Sequence, residues 1–272
     1  MKNVSTSETR FPIGAGVHYP VSGSELIEKV DDLKGSIDVK VIGRIRAMFV
    51  PSISYEYSLK LLLCAYLPTA KHIVDEAIIF ADPIMHRSHN VALHPARFWE
   101  SPLGKIEVSH RVAQLTSSDD HSVDLIRSDI QPHEGEVSIE LQIPLLQYLW
   151  DQSIRILPFM VGDCSPRLLF EQIGYKIQQD DLIIVASTLS RGLPADYASD
   201  IDKSTLQRIL DLDVKYFETN PNVVSSPNSL SFLLEYAKRT DLKAVVVGTD
   251  CVSTSFDRDR TTGLASILFV EK

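Results

Sequence analysis

The chain has 272 residues, a formal net charge of -9 at neutral pH, 44% hydrophobic and 23% charged residues. This balance suits a soluble globular protein, and no stretch approaches the roughly 18 consecutive apolar residues of a membrane-spanning helix. An acidic chain without a Lys/Arg block lacks the clustered cations that hold a nucleic-acid backbone, so neither nucleic acid nor membrane is an expected partner. The segment MKNVSTSETRFP has no apolar run of the secretory kind, and a cytoplasmic location is expected. The length fits one large α/β domain spanning residues 1–272, with 1–10 as a flexible tail.

In chain order, Ser22 and Glu25 form a capping box ahead of Leu26, Ile27, Val30 and Leu33 at helical spacing. Apolar runs without alternation follow at residues 44–51, 76–82, 155–162, 181–188, 243–249 and 263–272. Such runs suit strands covered on both faces, the mark of a mixed, mostly parallel sheet with helices on both sides. Between Asp200 and Phe217 apolar residues keep helical spacing, as they do at 229–239. Residues 86–108, rich in His, Pro and polar residues, read as a long loop with a hairpin near Pro102-Leu103-Gly104, and 220–228 as a surface connection.

In open α/β sheets ligands gather at the carboxyl ends of the strands. The loops to inspect are therefore 51–57, 82–89, 187–192 and 248–253, together with 133–144. The three cysteines, Cys64, Cys164 and Cys251, have no metal-site or redox spacing and read as reduced, mostly buried thiols. The pair Gly14 and Gly16 lacks the third glycine of a dinucleotide fingerprint.

Several of these segments carry a resemblance. The stretch 12-PIGAGVHYP-20 is similar to P-A-V-A-G-x-F-Y-P, 51-PSISYEYS-58 to P-H-A-G-Y-x-Y-S, and 136-EVSIELQIPLLQYL-149 to E-H-S-L-E-V-Q-L-P-F-L-Q-x-L. Residues 101–104 match T-P-L-G, and 187–213 resemble S-S-D-L-S-H-Y with its following helix. All are motifs of the Memo-like family, protein B of the AmmeMemoRadiSam system, in matching order. The resemblance implies a fold like that of class III extradiol dioxygenases, and AMMECR-type and radical-SAM proteins as partners. It also implies a metal site on three histidines, whose positions here hold Ser52, Met85 and Arg191. The flanking aspartate is Thr188 and a further histidine is Val137.

A hydroxyl is a weak ligand, a thioether prefers copper(I), and a guanidinium has no lone pair to offer. The expectation is thus a degenerate, metal-free and non-catalytic protein that binds a partner or a small anion in the former metal cleft. That cleft would comprise Ser52, Tyr55, Met85, His86, Glu136, Thr188, Arg191, Asp250 and Cys251. Glu136 either pairs with Arg191 in an inert remnant or leaves it free to hold an anion. Ser138 and Glu140 also match the motif, and His133 matches a family histidine just upstream of it. The alternative is a rebuilt enzyme, with iron, zinc or copper recruited by His86, His89, His94 or His133 in a dioxygenase-type oxidoreductase, or a hydrolase using Cys251 with His133 or His86 as base. The loop histidines otherwise read as solvated, and Tyr55 and Tyr57 as packing residues.

Overall fold

A computed structural model describes residues 8–86, 90–116, 125–150, 153–254 and 257–272. The chain begins with β1 (Thr9–Arg10), α1 (Gly23–Lys34), β2 (Ile45–Val50), α2 (Tyr55–Thr69) and β3 (Glu76–Ala81). Next come β4 (Val91–Leu93), β5 (Phe98–Ser101), β6 (Gly104–Val108), α3 (Arg111–Thr116), β7 (Ile126–Ser128), α4 (Ile143–Trp150) and β8 (Arg155–Val161). It continues through α5 (Pro166–Ile173), β9 (Asp181–Ala186), β10 (Arg191–Pro194), α6 (Ala195–Leu210), α7 (Val214–Thr219) and α8 (Pro227–Arg239), and ends in β11 (Leu242–Thr254) and β12 (Asp257–Glu271).

The strands form one mixed sheet in the order β1-β5-β6-β8-β3-β9-β2-β12-β10, with β11 on β12 and with β4 between β8 and β7. Its centre, β8-β3-β9-β2, is parallel. Both faces of these strands are apolar because both are covered. Met48, Val50, Ile79, Ala81, Ile184 and Ala186 pack toward α1, α2 and α4, while Ala47, Phe49, Ile78, Phe80, Ile183 and Val185 pack toward α5, α7 and α8.

At the amino ends of the parallel strands, charges clamp the sheet. Arg111 Nη1 donates to Glu76 (3.1 Å) and Asp181 (2.7 Å), the first residues of β3 and β9, and Nη2 donates to Lys176 O (2.7 Å). The two carboxylates hold Arg111 above its ordinary pKa against the opposing effect of burial.

Several expectations are corrected. The region 86–108 carries β4, β5 and β6, the last two forming the anticipated hairpin at 102–104. Tyr55 opens α2 rather than lying in a loop, and 248–253 belong to β11, which pairs with β12 up to Thr254. The helix expected through Phe217 breaks at Leu212, whose φ of 51° interrupts the helical path between α6 and α7. Of the expected tail, Thr9 and Arg10 pair with β5, and residues 1–7 lie outside the described residues.

Candidate functional site

The loops leaving β3 and β8 and the connection 221–228 into α8 meet the first residue of β10 around a cavity of about 430 Å3, lined in part by Asp82, Ile84, Asp163, Arg191, Asn222 and Asn228. Asp82 is buried and committed: Oδ2 accepts from Asn228 N (2.7 Å), and Oδ1 accepts from Ser229 N (2.9 Å) and Ser229 Oγ (2.5 Å). It caps the first turn of α8 from across the chain, because Ser226 Oγ donates instead to Ala186 O at 2.9 Å.

Glu136 is likewise buried, and its Oε1 accepts from the backbone N–H groups of Ile84 (2.6 Å) and Met85 (3.3 Å). It does not pair with Arg191; two backbone donors satisfy the carboxylate and fix the loop after β3. Arg191, exposed opposite Thr262 of β12, makes no side-chain hydrogen bond or ion pair among the described residues. Thr188 is buried; its N–H donates to Ser225 Oγ (2.8 Å) while its hydroxyl has no hydrogen-bond partner among the described residues.

The donor set does not fit the metal that the resemblance implies. Ser52 is half-buried, the Met85 thioether is 73% exposed, and Arg191 is a cation. Among the described residues, no group of three or more His, Cys, Asp or Glu side chains is arranged to hold a metal ion.

Of the proposed substitutes, His94 and His133 lie together, with ring centroids 5.2 Å apart. His86 is half-buried, and His89 lies outside the described residues. His94, expected as a solvated histidine, is buried with His133 and Trp99. His94 Nδ1 accepts from Ala96 N (3.1 Å), and burial, aided by the charge of Arg10, pushes its pKa down to about 4. His133 Nε2 donates to Ala92 O at 3.2 Å, and burial holds the ring neutral, well below the usual imidazole range. It is therefore enclosed and engaged, unlike the base that Cys251 would need. Cys251 is exposed on β11, with its N–H donating to Asp250 Oδ1 at 2.8 Å. Cys64 and Cys164 are half-buried; burial, with Asp82 and Asp163 nearby, pushes the Cys164 thiol up to about 12.

Tyr55 and Asp250 belong to a second hollow, a groove of about 1120 Å3 between residues 16–22, α1 and the start of α2. Tyr55 is a packing residue: it is buried, and its hydroxyl donates to Leu141 O at 2.7 Å. One groove wall is the N-terminal segment, anchored on the fully buried Glu140. Oε1 accepts from Gly14 N (2.7 Å) and Tyr19 Oη (2.7 Å), and Oε2 accepts from Arg10 Nη1 (2.7 Å). Arg10 also donates to Glu136 O (2.9 Å) and lies 4.1 Å from the Trp99 ring centroid. On the groove wall, His18 Nδ1 and Ser54 Oγ are hydrogen-bonded at 2.7 Å. Reading residues 51–57 as a loop hid this contact; Ser54 followed by Glu56 in a first helical turn was the available signal.

Residues 10–253 match the family model described as Memo-like protein. Curated relatives named as MEMO1 family proteins include one from Sulfurisphaera tokodaii, 26% identical over 237 residues covering 81% of each chain. Another, from Thermoplasma acidophilum, is 26% identical over 269 residues covering 96% of this chain and 98% of its own. A third, from Ignicoccus hospitalis, is 27% identical over 225 residues covering 75% of this chain and 76% of its own. With nine-tenths of its length matched by the family model, the chain belongs to the Memo-like family.

Proposed function

We propose that this is a metal-free Memo-like binding protein whose former metal cleft takes up a small ligand bearing a carboxylate or phosphate. The supporting observation is the guanidinium of Arg191, unpaired among the described residues, on the wall of the 430 Å3 cavity, at a position where the family motif has histidine. A guanidinium presents parallel N–H groups that match a carboxylate or phosphate in a bidentate contact. The cavity lies within the range of roughly 300–1,000 Å3 typical of small-molecule sites. Asp82 opposes an anion weakly because its oxygens already serve the first turn of α8, whereas the exposed Asp163 favours a monoanion or zwitterion over a multiply charged ligand.

The test is a thermal-shift screen of carboxylates and phosphates, repeated on Arg191→Ala and Arg191→Lys. A ligand at 100 times its Kd stabilises the folded state by about 2.7 kcal/mol. The shift should vanish in the alanine variant and weaken in the lysine variant; a shift that survives in Arg191→Ala sinks the reading. A protein partner is the second reading, favoured by the exposed Phe11, Ile13, Val17 and Val21 beside the larger groove. The AMMECR-type and radical-SAM proteins are the first partners to test by co-purification.

A further inference from the structure

The groove of about 1120 Å3 carries a constellation that the Arg191 cleft does not use. Ser54 is the N-cap residue of the 15-residue helix α2, yet its side chain makes no capping hydrogen bond. An N-cap serine normally accepts from the second or third helical N–H. Here the hydroxyl meets His18 Nδ1 at 2.7 Å instead. Both partners depart from the motifs quoted above, which have phenylalanine at 18 and glycine at 54.

Backbone hydrogen bonds hold the two segments that carry the pair. His18 O accepts from Tyr55 N (2.8 Å), which ties the two segments together, and Ser54 O accepts from Tyr57 N (3.0 Å) and Ser58 N (3.2 Å). Of the four amides in the first turn of α2, that of Glu56 alone has no acceptor among the described residues. It is one of the two donors that an N-cap side chain ordinarily reaches, and Ser54 Oγ leaves it uncapped. Hydroxyl, imidazole and a free N–H donor are the three parts of an acyl-transfer site.

We infer that Ser54 and His18 form a nucleophile–base pair that hydrolyses an uncharged carboxylic ester in this groove. Ser54 Oγ adds to the ester carbonyl carbon while its proton passes to His18 Nδ1. The carbonyl π electrons move onto oxygen, where the Glu56 N–H donates to the oxyanion. Collapse of the adduct breaks the carbon–oxygen bond to the alcohol, which leaves with the proton from His18, and Ser54 holds the acyl group. Water then attacks that acyl group with His18 again accepting the proton; the bond between the acyl carbon and Ser54 Oγ breaks, His18 returns the proton to Oγ, and the acid leaves. An uncharged substrate follows from the lining: Glu25, Asp32, Glu56 and Asp250 outnumber Lys29 and Lys60, which repels a substrate that is itself anionic.

The experiment incubates the full chain with a fluorophosphonate probe and locates the adduct by peptide mass spectrometry, alongside hydrolysis of p-nitrophenyl acetate. Wild type should be labelled on Ser54. Ser54→Ala should lose both the adduct and ester turnover, and His18→Ala should slow labelling by about 100-fold or more, the usual worth of a positioned base. Thermal unfolding verifies that both variants are folded. No adduct on Ser54 in the wild type overturns the inference, as does labelling at an unchanged rate in His18→Ala. Loss of anion binding in Arg191→Ala with Ser54 labelling intact would separate this site from the Arg191 cleft.

Discussion

Glu140→Ala tests how the N-terminal segment is held against the body of the protein. The substitution strands the Arg10 guanidinium, whose side chain is 9% exposed, and leaves the Tyr19 hydroxyl and the Gly14 and Ile13 N–H groups without their acceptor. Removing one member of a buried ion pair costs about 3–5 kcal/mol. That is a large share of the roughly 5–15 kcal/mol that holds a typical domain folded. Glu140→Gln keeps the volume but turns an N–H2 toward donors, and should cost about 1–3 kcal/mol. Urea unfolding read by circular dichroism measures both, with limited proteolysis reporting release of residues 8–20. Replacing Arg10 and Glu140 together by methionine should cost less than the sum of the single losses, because neither charge is then left alone. A loss below about 1 kcal/mol for Glu140→Ala, or strict additivity in the cycle, would refute the reasoning.

The neutral, buried His94 should make the protein acid-sensitive. Its folded pKa of about 4 lies below the ordinary 6.5, so the unfolded chain takes up the proton first as pH falls. Its contribution is complete above about pH 6.5 and is lost toward pH 4, by about 3 kcal/mol in all. Unfolding curves at several pH values should show this slope, and His94→Gln should flatten it; an unchanged slope would count against it. Arg111→Met leaves Glu76 and Asp181 facing each other at the amino edge of the sheet and should cost about 3–5 kcal/mol in urea unfolding. A loss within the scatter of surface substitutions would show that the clamp is unimportant. Restoring Ser52→His, Met85→His and Arg191→His together should create zinc-dependent thermal stabilisation, since imidazoles supply the missing donors. Absence of any zinc response in the folded triple variant would show that these positions do not converge.

The central strands were readable because residues such as 47–50 and 183–186 are apolar on both faces, and a covered parallel sheet imposes that pattern. The same uniform burial concealed α2: Leu59, Leu61, Leu62, Leu63, Ala65 and Tyr66 surround it on nearly all sides, so no amphipathic period marks it. Strand β11 runs past its apolar start through exposed Thr249, Asp250 and Cys251, held by pairing with β12 rather than by burial. Glu136 satisfies itself on backbone N–H groups some fifty residues away, and His94 and His133 are buried by Trp99 and Ala92. Such contacts leave no local trace, which is why charge complementarity suggested Arg191 as the partner of Glu136.

Elemental analysis of the purified, tag-free protein tests the central claim most directly. The substituted donor set predicts iron, zinc and copper far below one equivalent per chain, and no thermal shift when each metal is added. Near-stoichiometric metal that survives dialysis would contradict the account and show that other side chains have rebuilt the site.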